Sequence, residues 1–130
     1  MWDMLNRTRP PRPLFWVGSS LRDLKSFPPD AQDVIGRALL DAQFGGKHPD
    51  AKPLQGFGGA GVVEVVLDLG GNAYRAVYTV RLQDAVYVLH AFQKKSSRGI
   101  ATQKYEIDRV RQRLRMAEDH HTAWKKGEGG

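Results

Sequence analysis

The chain has 130 residues, 41% hydrophobic and 26% charged, enough for one domain with a buried core and too short for two. No run of about 18 apolar residues occurs, which excludes a membrane-spanning helix, and the N-terminal stretch lacks the apolar centre of a signal peptide. Cysteine is absent, which excludes disulfides, thiolate nucleophiles and Cys-held metals and suits a cytoplasmic location. The net charge of +6 is concentrated in one place. Between Lys94 and Arg115 stand eight basic residues against Glu106 and Asp108, so the rest of the chain sums to zero. Such a one-sided footprint suits a polyanionic partner, or a solvated helix face.

In chain order, residues 1–12 carry prolines and arginines without periodicity and are expected to form a flexible arm. "PLFWVG" is a short aromatic and β-branched run, hence a strand. "SSLRDLKSF" predicts a short helix with Ser20 as N-cap and Asp23 three residues on. Pro28 and Pro29 stop it. Asp30 is expected to cap a second helix, whose stripe is Val34, Ile35, Ala38, Leu39 and Ala42 and whose end is Gly45–Gly46. "KHPDAKPLQGFGGAG" reads as a loop. Three strands follow, 62–69, 73–80 and 85–92, separated by hairpin-length "GGN" and "RLQD". A helix is expected from 102 to 119, with Ile107, Val110, Leu114 and Ala117 inward and the arginines largely on its other sides. Residues 120–130 are expected to form a flexible tail. The order is strand, two helices, three-stranded meander, helix: an α+β domain over 13–119, its helices packed on one face of a mostly antiparallel sheet.

A symmetric turn between the last two strands pairs residues whose numbers sum to 165. Arg75 then faces His90, Val77 faces Val88, and Tyr78 faces Tyr87 on the opposite side of the sheet. An arginine inside an apolar strand needs a reason. The plain one is an ion pair with Glu64 or Asp68. The histidines show no metal-ligand spacing, and no phosphate loop, dinucleotide fingerprint or nucleophile elbow occurs. What remains is a basic set: Lys52, Arg75, Lys94, Lys95, Arg98 and Lys104, with His90 among them. This set suits a phosphodiester. When an RNA 2′-hydroxyl attacks phosphorus, charge builds on the non-bridging oxygens, and arginine and lysine stabilise it with no metal and no cofactor. A group of suitable pKa moves the proton; histidine is the natural choice, and a lysine or tyrosine in a crowded basic site is another.

The segments "KPLQGFGGAGVVEV", "YRAVYTV" and "VYVLHAFQKKS..GIAT" resemble the phage-derived RelE-like toxins of type II toxin–antitoxin systems, nearest the Tad and HigB-like branch of the RelE/ParE superfamily. The resemblance spans about residues 13–119. It implies a RelE-like fold and an mRNA endoribonuclease that acts on the ribosome. It also implies a small helix-turn-helix antitoxin as partner. Carried onto this chain, it implies catalytic roles for Arg75, His90, Lys94 and Lys95, and RNA binding by Lys52, Arg98, Lys104 and Arg111. The C-terminal tyrosine used by some ribosome-dependent members has no counterpart here. The alternatives are a ParE-like toxin acting on DNA gyrase and a nucleic-acid-binding module without activity.

Overall fold

The computed structural model describes residues 11–82, 84–95 and 104–129. Its elements are β1 (Leu14–Trp16), α1 (Ser20–Lys25), α2 (Pro29–Gln43), β2 (Ala51–Pro53), β3 (Val62–Leu69), β4 (Asn72–Thr79), β5 (Val86–Lys95) and α3 (Lys104–Gly129). They form an α+β domain around a five-stranded sheet of order β1-β5-β4-β3-β2. All neighbours are antiparallel except β1, which runs parallel to β5 with Phe15 beside Tyr87. β2 lies inside the segment expected to be loop. With three residues, one of them proline, it is too short to show an alternation, and it sits at the sheet edge, where proline is tolerated.

Local sequence chemistry explains most of the boundaries. The two-residue turn between β3 and β4 is Gly70–Gly71, both in the left-handed region, as a tight hairpin demands. α2 begins with Pro29 at its first position, where a missing N–H costs nothing. The expected caps are displaced by one or two residues. Pro28, not Asp30, precedes α2, and Asp30 lies in its first turn. Ser19 rather than Ser20 precedes α1, while the buried Ser20 hydroxyl donates to Val88 O at 3.1 Å. At the other end of α2, Gly46 N–H reaches Asp41 O at 2.8 Å and Gly45 N–H reaches Ala42 O at 3.0 Å. That double closure uses the left-handed Gly45.

Helices cover both faces of the sheet, not one. α1, α2 and the turn between them bury Leu24, Phe27, Ala31, Ile35 and Leu39 against Val63, Val65, Ala76, Tyr78 and Val88. α3 buries Val110 and Ala117 against Leu54, Phe57, Val77, Tyr87 and Leu89 on the opposite face. α3 also runs past its expected end at 119. Trp124 packs edge-on to Phe15 at 5.6 Å, and Lys125 pairs with Asp84 at 2.7 Å. These contacts fix the segment expected to be a tail. The terminal charges of that tail hid its one large apolar anchor.

The β4–β5 register also differs from the symmetric expectation. Arg75 lies opposite Phe92, Val77 opposite His90, and Tyr78 opposite Val88. Leu89 is an extra residue, a bulge, and both it and His90 therefore point toward α3. The bulge changes the alternation, so Tyr78 packs under α2 while Tyr87 packs under α3, and the two tyrosines do not face one another.

Candidate functional site

The α3 side of the sheet carries the charged residues. One row across the strands reads Lys52, Glu64, Val77, His90. The next reads Val66, Arg75, Phe92, and the third Asp68, Ala73, Lys94. Strand alternation therefore places Lys52, Arg75, His90 and Lys94 on one sheet face, with Arg75 and Lys94 in adjacent rows of neighbouring strands. Arg75 Nη1 donates to Glu64 Oε2 at 3.2 Å, with both side chains largely enclosed. The ion pair expected on packing grounds is thus present. It also holds the guanidinium in place beside the lysine row.

His90 is buried, and both ring nitrogens are engaged. Nε2 lies 2.6 Å from Glu106 Oε1 on α3. Nδ1 lies 3.4 Å from Arg113 Nη1, and the ring stacks on Phe92 at 4.7 Å. A carboxylate at one nitrogen and a guanidinium donor at the other select the neutral tautomer with its proton on Nε2. Burial pushes the His90 pKa below its ordinary value, and Glu106 opposes that shift only in part. The imidazole is therefore neutral near pH 7, with its acceptor lone pair turned toward an arginine.

Arg113 is the residue that sequence reasoning missed. It is only 9% exposed. Its Nη1 donates to Leu89 O at 3.0 Å, and its Nη2 donates to Ser19 Oγ at 3.0 Å. Ser19 Oγ in turn donates to Asp23 Oδ2 at 2.7 Å. Gly18 makes room: a Cβ there would sit 3.0 Å from the guanidinium carbon. The carbonyl that accepts from the arginine belongs to the bulged residue, Leu89. One network thus joins the start of α1, the middle of β5 and the first half of α3. A signal was present in the sequence. Glu106, Val110, Arg113 and Ala117 are spaced by four, three and four, so they share a helix face.

The remaining expected residues separate. Lys104 is exposed at the start of α3 and pairs with Asp108 at 3.3 Å, away from the network. Arg111 lies over the Phe57 ring at 4.8 Å and donates to Gly56 O at 3.4 Å, so it braces the glycine loop. The Lys95 backbone pairs with that of Asn72 at the end of β5, which runs three residues beyond its expected end at Phe92. The Lys95 side chain and Arg98 lie outside the described residues. No group of three or more His, Asp or Glu able to hold a metal occurs among the described residues. No helix among them is long and apolar enough to cross a membrane.

Residues 22–115 match the family model described as phage derived protein Gp49-like (DUF891). The matched span includes β2 to β5, α2, all of α1 but its first two residues, and α3 through Arg115. No curated protein and no solved structure matches the chain.

Proposed function

From the premise that the chain belongs to the phage-derived Gp49-like family, a RelE-toxin-like family, we propose that it is the toxin of a type II toxin–antitoxin pair and cleaves mRNA on the ribosome. The observation that carries this reading is the placement of Arg75 and Lys94 in adjacent rows of one sheet face, with Lys52 three strands from His90 in one row of the same face.

In this reading the RNA 2′-hydroxyl oxygen forms a bond to phosphorus as the bond to the 5′-oxygen breaks. The products are a 2′,3′-cyclic phosphate and a 5′-hydroxyl end. Arg75, held by Glu64, and Lys94 stabilise the negative charge that grows on the phosphoryl oxygens. His90 holds Phe92 and α3 in place, because its lone pair is already committed to Arg113. Proton transfer falls to the lysine pair Lys94–Lys95. Lys52, Arg98, Lys104 and Arg111 bind backbone phosphates of mRNA or ribosomal RNA, in a manner that weakens with salt. A small helix-turn-helix antitoxin neutralises the activity, and the pair works in the cytoplasm.

Expression in a bacterium, followed by growth and transcript mapping, tests the reading. Growth arrest with cut transcripts, abolished by Arg75→Ala and by the Lys94→Ala/Lys95→Ala double variant, is expected. Arrest with intact transcripts and gyrase–DNA adducts would identify a ParE-like toxin instead. Salt-sensitive RNA binding without cleavage, ribosomes included, would identify a binding module.

A further inference from the structure

The segment "GFGGAG" is not accounted for by the site above. Gly56, Gly58, Gly59 and Gly61 all adopt positive φ, so the loop has a backbone path that other residues rarely take. It is nonetheless well anchored. Leu54 N–H donates to Val62 O at 2.9 Å, Ala60 N–H to Phe57 O at 2.8 Å, and Val80 N–H to Gly61 O at 2.8 Å. The Phe57 ring is buried beneath Arg111. Beside the loop lies a cavity of about 520 Å³, bounded by residues 53–63 together with Val80 and Arg81. That is within the range of small-ligand sites. Its walls include the apolar side chains of Leu54, Phe57 and Val62 and the half-exposed Val80.

Arg81 is what gives this cavity a direction. Its stem lies across Gly61, where a Cβ would stand 2.2 Å from the Arg81 Cβ. Its Nη1 would stand 3.6 Å from a Cβ on Gly59. Gly61 therefore seats the arginine, and the guanidinium is carried to the rim of the glycine loop. An apolar wall and one seated guanidinium make a match for a nucleotide: base on the wall, phosphate at the arginine. Position agrees with this. Pro53, on the cavity wall, directly follows Lys52. Val80 lies five residues beyond Arg75 along the same strand direction, roughly 17 Å at about 3.4 Å per residue. Leu54, Phe57 and Val62 of the cavity wall belong to the core on the α3 side of the sheet, the side that carries Arg75, so a single strand crossing that side spans the distance in a few nucleotides.

We infer that the cavity between the glycine loop and Arg81 binds one nucleotide of single-stranded RNA, flanking the cleaved bond. This rests on the nuclease reading for its place in the reaction, and the binding itself is measurable without cleavage. The probe is a fluorescein-labelled 2′-O-methyl RNA decamer of mixed sequence, which has no free 2′-hydroxyl to attack phosphorus. Its anisotropy is followed with the full chain and two variants. Arg81→Met keeps the stem over Gly61 and removes the charge; Val80→Glu puts a carboxylate into the cavity from an exposed position. Each is expected to weaken binding by about tenfold, with the thermal melt unchanged. A decamer carrying one 4-thiouridine is expected to crosslink to the peptide spanning 54–61. Wild-type affinity in both variants, or crosslinks only elsewhere, overturns the inference. Intact transcripts together with weakened binding by Arg81→Met would overturn the nuclease reading and leave this site standing.

Discussion

On the face covered by α1 and α2, Ile35, Leu39 and Phe27 meet Val63, Val65 and Ala76, and the polar atoms buried there belong to Ser20 and to tyrosines. Burial, with Asp41 nearby, pushes the Tyr78 hydroxyl up to about 12, so it stays protonated. On the face covered by α3, the apolar seam of Val77, Leu89 and Val110 borders Arg75–Glu64 and the Glu106–His90–Arg113 chain. The first face is a core whose stability comes from area and close packing. The second holds charges that are costly to bury and are retained because each has a partner. The lesson is a division of labour. One face secures the sheet, and the other uses that rigidity to hold cations in fixed registers.

Substitutions can break or sharpen this contrast. The largest effect is expected on activity from the charged face. Arg75→Ala should lower mRNA cleavage by about a hundredfold or more while the circular dichroism spectrum keeps its folded form; cleavage by the variant at the wild-type rate would remove Arg75 from the site. Next in size is Ile35→Ala, which opens a cavity at a fully buried position. It should cost about 2–5 kcal/mol in urea unfolding, with the loss equal at pH 7.5 and pH 5.5.

Arg113→Met should cost about 1–3 kcal/mol, because Leu89 O loses its buried donor while the stem is kept. A loss shared with Ser19→Ala in a double-mutant cycle would show the network acting as a unit. Additive losses would show that it does not. A smaller effect, but one with a distinct signature, comes from His90. Its pKa in the folded protein lies below the ordinary value of about 6.5. As pH falls past that value, the unfolded chain takes up a proton that the folded chain refuses. Stability contributed by the neutral ring is therefore full above about pH 6.5 and declines as pH falls toward the folded pKa, by at most about 1.4 kcal/mol per pH unit. His90→Gln should flatten the profile relative to wild type over this window. Identical slopes would contradict a buried neutral imidazole. The smallest effect is expected from Lys104→Ala, since its pair with Asp108 is exposed. No measurable change in unfolding midpoint is the expected result.

Much of this contrast was legible in the sequence. The three long strands, both inner helices and the stripe of α3 follow from periodicity, and the Arg75–Glu64 pair follows from the need to neutralise a charge in an apolar strand. Three features were not legible, each for a physical reason. The bulge at Leu89 leaves no compositional mark, yet it decides which residues of β5 face α3. β2 gains its identity from pairing with β3 rather than from its own three residues. Arg113 was counted with its neighbours because the inward stripe was read from apolar residues alone. A buried guanidinium satisfied by a carbonyl and a hydroxyl occupies the same face as Val110 and Ala117. The placement of Lys52, Arg75, His90 and Lys94 on a single face was legible in part, since the wrong register preserved the side of Arg75 and His90 while misplacing their partners.

The most direct measurement is cleavage of a synthetic, end-labelled mRNA by the purified chain, with and without translating ribosomes, and with chemical analysis of the new ends. Cuts with ribosomes present that leave 2′,3′-cyclic phosphate and 5′-hydroxyl ends are expected, with loss of those cuts in both Arg75→Ala and the Lys94→Ala/Lys95→Ala variant. Message that stays intact in both conditions, or cuts that persist unchanged in those variants, would contradict the nuclease reading.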